Sequence, residues 1–574
     1  MSRSPHTPIL LLSVLLGGCG KGGDTAGRGS DAPDTASGWR PDVACPGDAG
    51  CATNAGPLRA GAAIRDVTPT CFELWADADG DGTWDVGVEE FFDCGCDQLC
   101  DGDAGYAGPD EGEGDGVFQA IWLAGFGNAR PANGVHDPIE ARALVLESGD
   151  TRVGLVTLDV VGWFYDDAMR VRDAAAAADL DHLVVQATHN HEGPDTMGQW
   201  GLNLTESGKD AAYIDAVVAL AAEAVVEAAG ALEPATLRIA DVNTATPFGD
   251  KGTANLIRDT RDPVIIDEMM AVAHFADAGG DTIATFINWG NHPEVLGSDN
   301  LLLTSDYPHY ARRGLEEGVQ WGGSSAPGLG GVALFSSGTV GGLMTPLGVT
   351  VTDPDGTDHS GDTFEKAEVM GKLLAHMAIE AVQAASPVDD PVVSIAASQL
   401  YLPVHNDALR LAQALGVLDR ELYNYDPELA INDLNRPEVR TEVSLIDIGP
   451  LRMLGVPGEL MPELSIGGYD GSRVNSSEYA FLNPDNEHPP DVAQAPAGPY
   501  FEERMGGRVN LILGLANDEL GYLVPSYDFV VDATLPYLDQ APGDHYEETN
   551  SLGPDTVPLI TELVDQLIDY QPAP

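Results

Sequence analysis

Two histidines one residue apart follow an apolar run in the segment VVQATHNHEGPD, residues 184–195. The run LVV at residues 183–185 predicts a buried strand, and side chains two apart on a strand share a face. If the strand geometry persists to the end of the run, His189 and His191 point the same way. Imidazole nitrogens held side by side are typical ligands of a metal ion.

Two other strand-like runs lead to residues of the same chemical kind. The run at residues 284–287 leads to His292 in the motif NHP, and the run at residues 451–456 leads to Glu459 in the motif PGE. Together with the two histidines above, they supply the imidazole nitrogens and carboxylate oxygen of a zinc site. Ligands on the ends of several strands make a rigid site that is open toward solvent, as a catalytic metal requires.

The elements that must position these residues alternate between strand and helix patterns. Two apolar runs joined by ESGD predict a hairpin, and alanine-rich segments with apolar residues at helical spacing predict helices. The hairpin is predicted at 142–146 and 153–158, the helices at 211–232 and 364–385, and further strands at 282–287, 332–335, 392–402 and 451–456. The fold class is therefore mixed α/β (α+β), with one large catalytic domain over residues 60–574, a β-sheet core and flanking helices.

The N-terminal segment predicts export. Arg3 precedes an apolar run at residues 9–16, which is too short to span a membrane and is typical of a secretory signal. The run ends in LGGC, which resembles a bacterial lipobox, so residues 1–18 are predicted to be a signal peptide and Cys19 an acylated N-terminus. An ordinary signal followed by a chance cysteine is the alternative. Residues 19–59 are predicted to be a lipoprotein tether, and the expected location is a bacterial outer membrane, facing the periplasm or the surface.

The net charge of the chain limits the kinds of partner that it can bind. The 574 residues contain 28 Lys and Arg against 91 Asp and Glu, which gives a net charge of −63 with histidine neutral. Such a surface repels nucleic acid and anionic lipid head groups. We therefore expect a small-molecule or lipid substrate, no nucleic acid, and membrane association through the lipid anchor only.

A small acidic, cysteine-rich insert is predicted at about residues 71–116. Six cysteines remain once Cys19 is set aside, and an even number in an exported chain predicts disulfides whose connectivity the sequence leaves open. Within the insert, the stretch DADGDGTWDVGVEE resembles the start of a calcium loop, in which carboxylates alternate and a glycine allows the bend. Its candidate Ca²⁺ ligands are Asp77, Asp79, Asp81 and Asp85. The twelfth position is Val88, with Glu89 one residue late, so a solvated acidic loop held by disulfides is the alternative.

Several segments together resemble neutral ceramidases. They are GAAIRDVTP, THNHEGP, NHPEVLG followed by LTSDY, VPGEL, GLAN through GY, and YEETNSLGP, in the order of that family and spanning residues 60–567. The resemblance implies the catalytic domain of the family without its C-terminal β-domain. It also implies that zinc is held by His189, His292, Glu459 and Tyr522.

The same resemblance implies catalytic residues. His191 would serve as an acid/base or oxyanion-stabilising group, and Arg258 would polarise the substrate, with Arg261 as a competing candidate for that role. The family's serine nucleophile is missing, because the equivalent stretch ALFSSGTVGGLMTP offers only the hydroxyl of Thr345 near that position. Thr345 is expected to orient the attacking water, or alternatively to act as the nucleophile itself.

The expected function is therefore zinc-dependent hydrolysis by metal-activated water, which needs no serine. The favoured hypothesis is an exported amidohydrolase that cleaves an N-acyl sphingoid lipid or a related N-acyl compound. A zinc esterase, lactonase or polar-amide hydrolase of the same fold is the second hypothesis. The third is a non-catalytic surface lipoprotein that metal ions only stabilise.

Overall fold

Three large β-sheets form the framework of the protein in a computed structural model that describes residues 39–570. In chain order the strands are β1 Val43–Cys45, β2 Arg59–Asp66, β3 Trp75–Ala76, β4 Glu90–Phe91, β5 Glu140–Ser148, β6 Thr151–Leu158, β7 His182–Ala187, β8 Glu233–Pro234, β9 Thr236–Asn243, β10 Met269–Ala276, β11 Thr282–Trp289, β12 Gly318–Gln320, β13 Ser325–Pro327, β14 Val332–Ser337, β15 Val351–Thr352, β16 Asp358–His359, β17 Val393–Pro403, β18 Glu438–Ile448, β19 Leu451–Gly455, β20 Glu459–Leu460, β21 Val509–Leu513 and β22 Tyr522–Leu523.

Helices lie between these strands along the chain. They are α1 Tyr165–Ala174, α2 Ala211–Gly230, α3 Tyr307–Glu317, α4 Phe364–Ala384, α5 Asp407–Ala414, α6 Pro462–Ile466, α7 Phe501–Met505 and α8 Thr556–Asp569, with short 3₁₀ helices at Ala176–Ala178, Thr246–Asn255, Val492–Gln494, Ser526–Asp528 and Glu547–Asn550. The predicted helices α2 and α4 and the predicted hairpin β5–β6 are all present, and the mixed α/β class is confirmed.

Each large sheet contains one parallel pair of strands. The strand orders are β7-β6-β5-β2-β8, β14-β11-β10-β9 and β1-β17-β18-β19-β21. The parallel pairs are β6–β7, β11–β14 and β19–β21, and the other neighbours in these sheets run antiparallel. Five of these six strands, all except β6, lead directly into segments that carry candidate site residues.

The three sheets share an apolar core and carry their helices on the outside. Leu155 of the first sheet, Phe286 of the second and Met453 of the third belong to one buried cluster. Helix α2 packs on the first sheet, α3 and α4 on the second, and α8 on the third. This arrangement holds the ends of the parallel pairs on a rigid framework.

Helix α2 shows how the sequence specifies these elements. The Asp210 carboxylate caps its first turn by accepting a hydrogen bond from the backbone N–H of Tyr213. Ile214, Val217 and Ala221 are buried at helical spacing, so one apolar face packs against the sheet. Because the cap and the apolar face agree, the element was predictable from the residues.

The acidic insert is held by disulfides and a small aromatic cluster. Cys71–Cys96 and Cys94–Cys100 lie within it, and the ring centroids of Trp84 and Phe118 are 4.4 Å apart. The third disulfide, Cys45–Cys51, lies outside the insert, next to β1.

The compact unit that holds the site begins at Pro41, ahead of the expected boundary at residue 60. Strand β1 belongs to it, since β1 pairs with β17. Among the helices described here, none has the length and apolar character that crossing a bilayer requires. The predicted signal peptide and Cys19 lie outside the described residues.

Candidate metal centre

The candidate ligands follow the carboxyl ends of strands from all three sheets. His189 and His191 follow β7, and His292 follows β11. Glu459 follows β19 and opens the short strand β20, which pairs in parallel with β22 and places Glu459 opposite Tyr522. The parallel pairs therefore bring four separate segments of the chain to one place.

Three imidazoles and one carboxylate converge there, and we call His189, His191, His292 and Glu459 the histidine cluster. The Nε2 atoms of His189 and His191 are 3.2 Å apart. An oxygen of Glu459 lies 3.4 Å from Nε2 of His189 and 3.1 Å from Nε2 of His292. A tetrahedral site with bonds of 2.0–2.1 Å has ligand-to-ligand distances of about 3.3 Å. The three histidines can hold a metal ion, and the donor set suits zinc.

On two of the three histidines, the other ring nitrogen is hydrogen-bonded to a backbone carbonyl. Nδ1 of His189 lies 2.6 Å from the carbonyl oxygen of Val161, and Nδ1 of His292 lies 2.7 Å from that of Met344. Carbonyl oxygens only accept hydrogen bonds, so both Nδ1 atoms carry a hydrogen, and in the neutral imidazoles the lone pair lies on Nε2. Lone pairs facing one another repel unless a cation lies between them.

His191 is held by a carboxylate instead. Its Nδ1 is 3.2 Å from Glu294, a buried side chain two residues after His292. Burial lowers the pKa of His191 to about 4, while the hydrogen bond from His191 outweighs the burial of Glu294 and lowers the pKa of that carboxyl to about 2. At neutral pH the imidazole is therefore neutral and Glu294 is ionised, which directs Nε2 of His191 toward the cluster.

His189 adopts a left-handed backbone conformation, with φ of 64°. Strand β7 ends at Ala187, so the strand geometry that the sequence suggested does not persist to His191. Non-glycine residues rarely adopt positive φ, and such positions concentrate at functional sites. The two imidazoles meet because the chain turns at His189, and not because they share a strand face.

Tyr522 lies beside the cluster and is almost fully buried. Burial and the nearby negative charge of Glu459 raise the pKa of its phenol well above the ordinary value. The phenol is therefore neutral in the absence of a cation. The same neighbouring carboxylate is held ionised, because its interactions with His189 and His292 outweigh its burial and lower its pKa.

Arg258 and Thr345 are brought together by backbone hydrogen bonds. Each residue's N–H donates to the other's carbonyl, at 3.0 and 2.9 Å. Thr345 is buried, its Oγ1 accepts the N–H of Leu347 at 3.0 Å, and its hydroxyl hydrogen-bonds Glu294, which helps to lower the pKa of that carboxyl. Glu294 thus links Thr345 to His191. The side chain of Arg258 is exposed.

Arg261, the competing arginine, is buried among carboxylates. Its guanidinium contacts Asp528 at 2.8 Å, Glu547 at 2.6 Å and Glu548 at 3.0 Å, and we call these four residues the Arg261 cluster. A guanidinium with three carboxylate partners has little freedom to contact a substrate. Arg258 is therefore the better placed of the two arginines.

A cavity of about 90 Å³ opens beside the histidine cluster. It is lined by His189, His191, Glu459 and Tyr522 at one part of its wall, and elsewhere by apolar side chains that include Phe164, Met197, Trp200, Leu409 and Leu418. Such a cavity, apolar with a few polar groups beside a candidate metal site, suits a small or amphiphilic ligand.

Sequence reasoning missed two acidic residues of this region. Glu294 follows His292 directly in the motif NHPE, and a search for a carboxylate to support a ligating histidine would have found it. Glu519 lines the cavity, but nothing in its sequence context signals that it is buried there. Asp159 follows β6, and from the sequence it could support a ligating histidine or equally cap a turn. In the structure it forms a bidentate pair with Arg312 at 2.6 and 2.8 Å.

In the acidic insert, Asp77, Asp79 and Asp81 are close enough to share a cation. Both carboxylate oxygens of Asp77 already accept backbone N–H groups, from Gly80 and Gly82. The fourth candidate, Asp85, lies outside this group of three, and its N–H donates to Glu89 at 2.6 Å. The calcium site stays a prediction.

Comparisons with known proteins agree with the geometry. A family model described as neutral/alkaline non-lysosomal ceramidase, N-terminal, matches residues 112–397. The structure is similar to neutral ceramidase from Pseudomonas aeruginosa, with a TM-score of 0.57 and 16% identity over 89% of this chain and 74% of that one. It is also similar to a ceramidase complexed with C2, with a TM-score of 0.54 and 15% identity over 89% and 75% of the two chains. No curated protein sequence matches significantly. At such identities the structural likeness shows a shared fold.

Proposed function

The chain belongs to the neutral/alkaline non-lysosomal ceramidase family through residues 112–397, and from that premise we propose that it is an exported, zinc-dependent amidohydrolase. Its substrate would be an N-acyl sphingoid lipid or a related N-acyl compound. The observation that carries the proposal is the convergence of three Nε2 atoms and one carboxylate beside an apolar cavity.

His189, His292 and Glu459 would hold the zinc ion, with Tyr522 as the fourth ligand that the resemblance implies. Zinc, when bound, polarises an amide carbonyl and lowers the pKa of water toward ~7. The carbonyls of Val161 and Met344 fix the two histidine rings, so that little reorganisation is needed on binding.

His191 is proposed as the proton carrier. Its Nδ1–H is held by Glu294 and its pKa is lowered by burial, so Nε2 is free to accept a proton at neutral pH. The proton gained at Nε2 then passes to the leaving nitrogen of the amide. The hydroxyl of Thr345 interacts with Glu294. This contact supports a role for Thr345 in orienting the attacking water rather than in attacking the substrate itself.

His191 has a second candidate role, since its Nε2 lies at ligand distance from that of His189. His191→Ala separates the two roles. If His191 carries protons, zinc content stays at one ion per chain while hydrolysis falls by about 10²–10⁴-fold. If it is a ligand, zinc is lost together with activity.

The experiment that tests the proposal uses the chain from Gly20 onward. Zinc per chain is measured, and hydrolysis of a fluorescent N-acyl-sphingosine is compared with that of a short-chain ester. We expect about one zinc ion per chain and amide cleavage that falls by more than about 10³-fold in His189→Ala. His376→Ala is the matched control, because that histidine lies on α4 outside the cluster and hydrogen-bonds Trp321; it should leave both readouts unchanged.

Other outcomes would move the interpretation elsewhere. Ester cleavage without amide cleavage would favour the esterase or lactonase hypothesis. A full zinc complement with no turnover of any acyl substrate would favour a metal-stabilised surface lipoprotein.

Export and anchoring are a separate proposal, which rests on the sequence around Cys19. We propose that Cys19 is acylated and holds the protein at a bacterial outer membrane. The expected result is that the protein fractionates with membranes and that Cys19→Ser releases it. Recovery of the unsubstituted protein in the soluble fraction would contradict the proposal.

A further inference from the structure

Part of the cavity beside the histidine cluster is polar. Apart from His191, whose Nδ1 faces Glu294, three side chains that line it have a buried polar atom without a hydrogen-bond partner: Gln413, Arg420 and Glu519. The atoms are Oε1 of Gln413, Nε of Arg420 and Oε2 of Glu519. Buried polar groups are nearly always paired, so three such atoms around one cavity point to a ligand.

Glu519 is the strongest of the three signals. Only 4% of the residue is exposed. Its Oε1 accepts the N–H of Gly521 at 2.7 Å, while Oε2 has no partner. Burial, together with the negative charge of Glu459, raises the pKa of this carboxyl well above its ordinary value. The unpartnered Oε2 can accept a hydrogen bond from a ligand, and it can also donate one whenever the carboxyl is protonated.

Arg420 is held rigidly next to Glu519. Its guanidinium pairs with Asp518 at 2.6 Å, donates to the backbone carbonyl of Glu519 at 3.4 Å, and stacks over Phe164 at 4.8 Å. Its Nε is thus a donor in a fixed position. The positive charge of this guanidinium also disfavours a cationic ligand at the same place.

These groups match one chemical function. A hydroxyl both donates and accepts, so it can donate to Oε2 of Glu519 or to Oε1 of Gln413 while it accepts from Nε of Arg420. An alkyl group in the same position leaves all of them unpaired, and an ammonium group meets the charge of Arg420.

We propose that Glu519, with Gln413 and Arg420, forms a polar subsite that selects substrates carrying a neutral hydroxyl close to the scissile amide. This inference rests on the proposed amidohydrolase function and adds the basis of its selectivity. Glu519 is the residue on which the selectivity chiefly depends.

The test compares two amides of the same shape, N-hexanoylethanolamine and N-propylhexanamide, in which a hydroxyl replaces a methyl group. The zinc-loaded protein is expected to prefer the hydroxylated amide by about 10- to 100-fold in kcat/KM. In Glu519→Leu the preference should fall to nearly 1, with zinc content unchanged. Glu519→Gln keeps a donor and an acceptor and should retain most of the preference.

A matched control excludes a general effect of losing a buried glutamate. Glu268 is also buried and also has an oxygen without a partner, but it does not line the cavity. Glu268→Leu should leave the preference unchanged. Thermal unfolding adds a second readout: because Glu519→Gln keeps an acceptor for the N–H of Gly521, its melting temperature should stay close to that of the unsubstituted protein.

The outcomes separate the subsite from the activity. Equal cleavage of both amides by the unsubstituted protein would overturn the subsite and leave the amidohydrolase standing. If neither amide is cleaved, the subsite is tested by binding instead. The measurement is the change in melting temperature of the zinc-loaded protein on addition of N-hexanoylethanolamine. A shift that disappears in Glu519→Leu supports the subsite, and the absence of any shift overturns it.

Discussion

The histidine cluster and the Arg261 cluster are both buried and both contain carboxylates, but those carboxylates have different partners. In the Arg261 cluster, one guanidinium lies within 3.0 Å of three carboxylates. In the histidine cluster, the ion-pair partners of Glu459 in the described part of the chain are histidines alone. In the Arg261 cluster the positive charge comes from the chain itself, whereas the histidine cluster is arranged to bind a metal cation.

The difference lies in what each cluster is built to do. A buried arginine among carboxylates is fixed, and removing it leaves uncompensated charge. The three histidines of the other cluster direct their Nε2 atoms toward one point. A metal ion can bind to such a site and leave it again. The Arg261 cluster should therefore govern stability and the histidine cluster metal binding.

The largest expected effect is on stability, from Arg261→Met. The substitution leaves three buried carboxylates without their guanidinium partner, and we expect the free energy of unfolding to fall by about 3–5 kcal/mol. Denaturant unfolding measures it. Arg313→Met is the control, since Arg313 and its partner Glu317 are about half exposed and their pair contributes at most about 0.5 kcal/mol. A loss below about 1 kcal/mol for Arg261→Met would break the contrast between the two clusters.

A somewhat smaller effect concerns pH in the metal-free protein. Burial lowers the pKa of His191 from 6.5 to about 4, so between these values the unfolded chain binds a proton that the folded chain does not. Stability should therefore fall as pH decreases from about 6.5 to about 4, by about 3 kcal/mol at about 1.4 kcal/mol per pH unit.

His191→Gln should remove this contribution, so the difference between the two proteins isolates it from other titrating groups. Unfolding of the chelated proteins by denaturant at several pH values measures that difference. His376→Gln should retain the full pH dependence. Parallel curves for the unsubstituted and His191→Gln proteins would show that the imidazole is not the group responsible.

The smallest expected effect is on zinc affinity, and it tests whether Glu294 supports the histidine cluster. Glu294→Gln keeps a hydrogen-bond acceptor for Nδ1 of His191 but removes the negative charge. We expect zinc affinity to weaken by about 10- to 100-fold, measured by competition with a chromogenic chelator. Glu268→Gln, the equivalent change outside the site, should bind zinc as before. Unchanged affinity for Glu294→Gln would remove Glu294 from the metal centre.

Much of this arrangement was predictable because it follows local patterns. The hairpin β5–β6, the helix α2 and the strand ends that carry His189, His292 and Glu459 are each marked by apolar periodicity and turn residues. The family resemblance added Tyr522, which spacing alone did not suggest. Each of these features lies in a short segment whose own sequence indicates its conformation.

Other features depend on contacts between distant segments. Asp159 was equally suited to several roles, and only its pairing with Arg312, 153 residues away, decides among them. The burial of Glu519 depends on the packing of α5 and the segment that holds Arg420. The left-handed turn at His189 is likewise unmarked in the sequence, because only a small fraction of histidines adopt that conformation.

Strand β1 has a consequence for handling the protein. It covers part of β17, an eleven-residue strand at the side of its sheet, by pairing Val43–Cys45 with residues 395–397. Unpaired strand edges recruit strands from other molecules, which leads to aggregation. A fragment that starts at Ala60, the predicted start of the catalytic domain, would expose this edge, so insolubility of such a fragment would reflect the missing cover rather than an unstable catalytic domain.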